Sequence, residues 1–143
     1  MRIVFSISLF GLLAASPVLA AGGCGALKVK PTVASRTADA ALVRRTDRGI
    51  LTPASKRSLG PRNIDMAMAE GSWRLVWVSS KDAESSVYFF KREPKGGFAL
   101  VDTWGGVIAP DDRDGGIDWA RKLKGGGPSP RLAGCFVDAL IAG

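Results

Sequence analysis

The chain has 143 residues, no histidine, two cysteines and a formal net charge of +7. That length suits one domain. The missing histidine removes the commonest general base and metal ligand, and with them every histidine-based catalytic triad. No cysteine pair stands at zinc spacing, and the glycine doublets and triplet are followed by no Gly-Lys-Ser/Thr, so structural zinc and phosphate-loop chemistry are excluded as well. No cofactor and no metal is expected.

The N-terminus reads as an export signal. Arg2 supplies the positive charge, residues 3–15 are nearly all apolar, Ser16-Pro17 breaks the run, and Val18-Leu19-Ala20 offers a cleavage site. The apolar run falls short of the roughly 20 residues of a membrane-spanning helix. Residues 1–20 are therefore expected to be removed, leaving a periplasmic or secreted protein. In that compartment Cys24 and Cys135 are expected to form a disulfide. The competing reading is a lipid anchor on Cys24, since Ala21-Gly22-Gly23-Cys24 weakly resembles a lipobox, although the usual Leu three residues before the Cys is missing.

Residues 21–62 hold nine basic residues against Asp39 and Asp47, a net +7, whereas residues 63–143 carry −1. The first segment is rich in Ala, Ser, Thr, Gly and Pro and has no aromatic residue. It is expected to be a basic, largely disordered arm, with a turn or two of helix over residues 38–45. Its charge suits an anionic membrane surface. Nucleic acid is not an expected partner, because of export and because nothing in the arm can stack on bases.

The domain is expected over residues 63–143. Residues 63–70 fit a short helix between an Asn63 cap and Gly71, yet Ile64, Met66 and Met68 alternate as in a strand, and both readings stay open. Residues 73–78 form a strand, with Trp73, Leu75 and Trp77 on one face and Arg74, Val76 and Val78 on the other. A polar turn over residues 79–85 leads to a second strand over residues 87–90. The Glu93-Pro94-Lys95-Gly96-Gly97 turn leads to a third over residues 98–104. Short connections make these strands an antiparallel meander. A helix is expected over residues 117–124. Another follows Ser129 and Pro130, with Leu132, Cys135, Phe136, Ala139 and Leu140 on one stripe. The expected fold class is α+β: a small antiparallel β-meander of three to four strands packed by C-terminal helices.

Three features are candidates for function. The acidic residues Asp111, Asp112, Asp114 and Asp118 suggest a cation site, or equally the acidic first turn of a helix. Asp102 shares a strand face with Phe98, Leu100 and Trp104, which would put a carboxylate against an apolar layer, with Arg74 as a neutralising partner. Trp73, Trp77 and Trp104, with Arg74, would form a binding platform if exposed and core if buried. The leading expectation is a non-catalytic exported binding or accessory domain whose partner is an envelope protein or a glycan. One form this could take is an inhibitor of a secreted hydrolase. The alternative is a small hydrolase of an envelope polymer, with Asp102 as acid and Asp111, Asp112 or Asp114 as its partner carboxylate.

Overall fold

The structure, a computed structural model, describes residues 23–143. The expected signal peptide and its cleavage site lie outside the described residues. Four strands run β1 (Ile64–Glu70), β2 (Trp73–Ser80), β3 (Ala83–Arg92) and β4 (Phe98–Gly105). They form one antiparallel sheet in the order β1-β2-β3-β4. The open choice at residues 63–70 resolves as strand: Met68 pairs with Leu75 and Ala67 with Val76, so Met68 joins the core. The turn expected over residues 79–85 shrinks to Lys81-Asp82, because β2 and β3 run on to Ser80 and from Ala83.

One face of the sheet carries Trp73, Leu75, Trp77, Val87 and Phe89. Helices α3 (Arg113–Arg121) and α4 (Pro130–Ala142) cover it. Phe89 meets Phe136 edge-on at 4.8 Å and Trp119 at 5.3 Å, and Trp104 meets Trp119 at 4.7 Å. Ser129 caps α4 by accepting from Leu132 N at 3.0 Å. Ala133 and Val137 are buried beside the expected stripe, so α4 packs over a wider face than its sequence spacing indicates. Helix α3 begins four residues before the expected start. Gly115 and Gly116 are accommodated in it, and Gly116 lies under Ile108 and Val137 where no side chain would fit. Arg113 of α3 grips Asp138 of α4 through two hydrogen bonds.

The other face carries Val76, Val78, Tyr88 and Phe90. This face overturns the expected disordered arm. Within the described residues, the segment from Cys24 onward is folded. Helix α1 (Val33–Thr46) and helix α2 (Pro53–Ser58) place Ala40, Leu42, Val43, Leu51 and Leu59 against the sheet. Helix α1 starts at a capping box: Thr32 accepts from Ser35 N, and Ser35 accepts from Thr32 N, each at 3.0 Å. Small aliphatic residues suffice because the sheet supplies the aromatic half of the core. The expected order of strands followed by helices is thus corrected to a sheet sandwiched between helices that precede it and helices that follow it. The coarse class, an antiparallel sheet with helices, stands.

Cys24 and Cys135 are joined in a disulfide across 111 positions. It ties the short turn Cys24–Leu27 to α4, and Lys28 then bridges to Met68 on the outer edge of β1. No helix among the described residues is long and apolar enough to cross a membrane.

Candidate functional site

The expected alternation of β4 fails at one point. Phe89 pairs with Asp102 but Phe90 pairs with Leu100, leaving Val101 as an extra residue in a bulge. The bulge sends Phe98 and Leu100 to the helix α1 side and Trp104 to the α3/α4 side. Asp102 itself is exposed, and its Oδ1 accepts from Thr103 N at 2.8 Å. The expectation of an acid facing an apolar layer is therefore corrected. Arg74 is not its partner either. Arg74 Nε and Nη2 donate to the two carboxylate oxygens of Asp39 on α1, at 2.7 and 2.8 Å.

The acidic run lies where a helix begins. Asp111 and Asp112 sit in the short turn Pro110–Asp112, Asp114 in the first turn of α3, and Asp118 reaches Lys122 one turn on at 3.9 Å. Among the described residues, no group of three or more acidic or cysteine side chains is arranged to hold a metal ion. Asp102 lines a shallow groove with Arg48 and Ile50 to which Asp111, Asp112 and Asp114 do not contribute.

Trp73 and Trp77 are buried and Trp104 is partly buried, all within the core cluster beneath α3 and α4. They do not form an open platform. Trp77 nevertheless reaches a surface. It lines a groove of about 670 Å³ at the end of the sheet where β1 and β3 begin and β2 and β4 finish. Met66, Ala139 and Leu140 form the apolar wall, Val107 stands at the rim 78% exposed, and Asp65 and Glu84 place two carboxylates beside it. Gly106, at a φ of 83°, turns the chain so that Val107 projects while Ile108 enters the core. The bulge at Asp65 in β1 turns that carboxylate outward, where it accepts from Ser79 Oγ at 2.9 Å.

The indole N–H of Trp77 has no acceptor among the described residues. Trp104 Nε1, in the same core cluster, is likewise buried without an acceptor among the described residues. Sequence reasoning found Trp77 and missed Met66, Val107 and Leu140 as a set. Val107 carried a signal, being apolar just after a glycine pair.

Compared with known proteins, the chain matches no family model, and neither the curated proteins nor the solved structures give a match.

Proposed function

We propose that the protein is an exported, non-catalytic binding domain whose contact site is the groove at Trp77. The carrying observation is the groove's composition. It has an apolar wall of Met66, Ala139 and Leu140 beside Trp77, and two carboxylates at the rim. Export is supported by the Cys24–Cys135 disulfide, a bond that persists in oxidising compartments.

The occupant that suits this lining is a protein segment with an apolar side chain and basic residues on either side to meet Asp65 and Glu84. Apolar contact supplies the affinity, and the rim charges supply selectivity. The test is titration calorimetry with two short peptides of identical apolar residues, one flanked by lysines and one by glutamates. The lysine peptide is expected to bind about tenfold tighter, from two exposed ion pairs of ordinary strength. Asp65→Asn with Glu84→Gln should erase that difference, and Val107→Lys should weaken the lysine peptide without altering the melting temperature. Equal affinity of the unaltered protein for both peptides, or binding of neither, overturns the reading.

A further inference from the structure

Glu84 belongs to two grooves. On one side of it lies the Trp77 groove. On the other lies a second groove of about 470 Å³, lined by Ile50, Asp82, Ser86, Thr103 and Gly105. Thr103 pairs with Tyr88, so this second groove opens on the face of the sheet that α1 and α2 cover. The two grooves therefore approach one another around the start of β3 and the end of β4. Adjacent glycines line one groove each, Gly106 the first and Gly105 the second.

The φ of Gly106 demands glycine, but nothing in the fold demands it at Gly105. Gly105 pairs with Ser86 in the sheet, its φ is not left-handed, and a Cβ on it would meet nothing within 4 Å. Glycine weakens a strand, and it marks places where another chain passes close. Here it leaves the crest between the grooves bare. Ile50 stands 45% exposed in the second groove, as Val107 stands at the rim of the first. Four exposed carboxylates accompany them: Asp65 and Glu84 at the first groove, Asp82 and Asp102 beside Ile50. None of the four makes an ion pair among the described residues. Arg48 is the one cation among the residues lining this surface. On a chain of net charge +7 the surface is a local negative excess.

We infer that the two grooves form one bipartite site. The basic segment bound at Trp77 continues over Gly105 and Gly106, sets a second apolar residue against Ile50, and places further basic residues on Asp82 and Asp102. The inference rests on the reading of the Trp77 groove as a contact site and extends its occupant from one anchor to two. An apolar anchor at each end supplies affinity, and the row of carboxylates selects a cationic chain. A crest without side chains admits an extended segment between the anchors.

The experiment is titration calorimetry of the whole protein with the short lysine-flanked peptide and with extended forms of it. Each extended form adds a glycine spacer and a second apolar residue flanked by lysines, at either end and over a series of spacer lengths. The best extended peptide is expected to bind about tenfold tighter than the short one, from one more apolar contact and two more exposed ion pairs. Ile50→Ser, and Asp82→Asn with Asp102→Asn, should each reduce that gain and leave the affinity of the short peptide unchanged. Gly105→Leu should abolish the gain by blocking the crest, with the melting temperature and the short peptide's affinity unchanged. If the short peptide binds and no extended peptide gains, the inference alone is overturned. A gain that survives both Ile50→Ser and Gly105→Leu also overturns it, because the extension then acts elsewhere. If the short peptide does not bind, the Trp77 reading fails and the inference fails with it.

Discussion

Tyr88, at the centre of β3, donates its phenolic hydrogen to Asp47 Oδ1 at 2.8 Å, beneath the N-terminal helices. Burial, and then the hydrogen bond and charge of Asp47, push this phenol well above its ordinary value. The folded protein therefore holds the proton to a higher pH than the unfolded chain does. The stabilisation is complete below the unfolded value of about 10 and is lost as pH rises beyond it, because the unfolded state then gains by ionising. The melting temperature is expected to fall from about pH 10 upward. Tyr88→Phe should be less stable at neutral pH by about 1–3 kcal/mol, since Asp47 loses a donor, and should show a shallower alkaline decline. Parallel alkaline declines in the two proteins would remove Tyr88 as the cause.

The Arg74–Asp39 pair joins the sheet to α1 with both side chains largely out of solvent. Two charges withdrawn from water are a weak source of net stability, but removing one of them is expensive. Asp39→Ala should destabilise the protein by about 3–5 kcal/mol, measured by denaturant unfolding. Asp39→Leu with Arg74→Met should cost much less. If the single and double variants lose the same stability, the helix itself rather than the charge pair is what Asp39 supports.

The disulfide closes almost the whole described chain. Replacing Cys24 and Cys135 together by serine should cost about 2–4 kcal/mol, the usual range for a native bridge. The loss should appear with Cys24→Ser alone to a similar extent. Because the N-terminal layer also rests on the sheet through Val43, Leu51 and Leu59, the reduced protein should still unfold in one cooperative transition. A separate early transition would mean that the disulfide alone holds that layer in place.

The sheet was legible because its strands alternate or run apolar between strong turn signals, and the last helix because Ser129-Pro130 precedes a clear stripe. The N-terminal layer was not, because its small aliphatic residues find their apolar partners only on the sheet face they cover. Residues 87–90 held the missing signal. Val87, Tyr88, Phe89 and Phe90 are consecutive and apolar, so both faces of that strand need cover, and α3 and α4 can supply only one. The groove was legible only at Trp77. Its other walls come from the start of β1, the segment after β4 and the end of α4, which no local pattern brings together. Phe98 and Leu100 fall on the face opposite to the expected one because a one-residue bulge reverses the faces of a strand, and nothing in the run Ala99-Leu100-Val101 marks where the extra residue falls.

The glycine triplet after α3 has a mechanical role at one position. A Cβ on Gly127 would lie 2.1 Å from Ala120 O and 2.6 Å from Arg121 C, both backbone atoms that no rotamer change can move. Gly127 N also donates to Arg121 O at 3.1 Å, so the loop is pressed onto the end of the helix. Gly127→Ala should therefore cost as much as an overpacked core residue, about 1–3 kcal/mol or more. Gly126→Ala meets nothing within 4 Å and bears only the strain of its φ of 76°, about 1–2 kcal/mol. Gly115→Ala is the useful contrast within α3. There a new Cβ would approach Asp112 Oδ1 at 2.4 Å, but that carboxylate is an exposed side chain free to swing away. Alanine also favours helix over glycine by about 1 kcal/mol, so Gly115→Ala should be neutral or stabilising. Denaturant midpoints in the order Gly115→Ala, Gly126→Ala, Gly127→Ala, from most to least stable, are the expected result. A Gly127→Ala variant as stable as Gly126→Ala would mean that the loop can lift from the helix end at little cost.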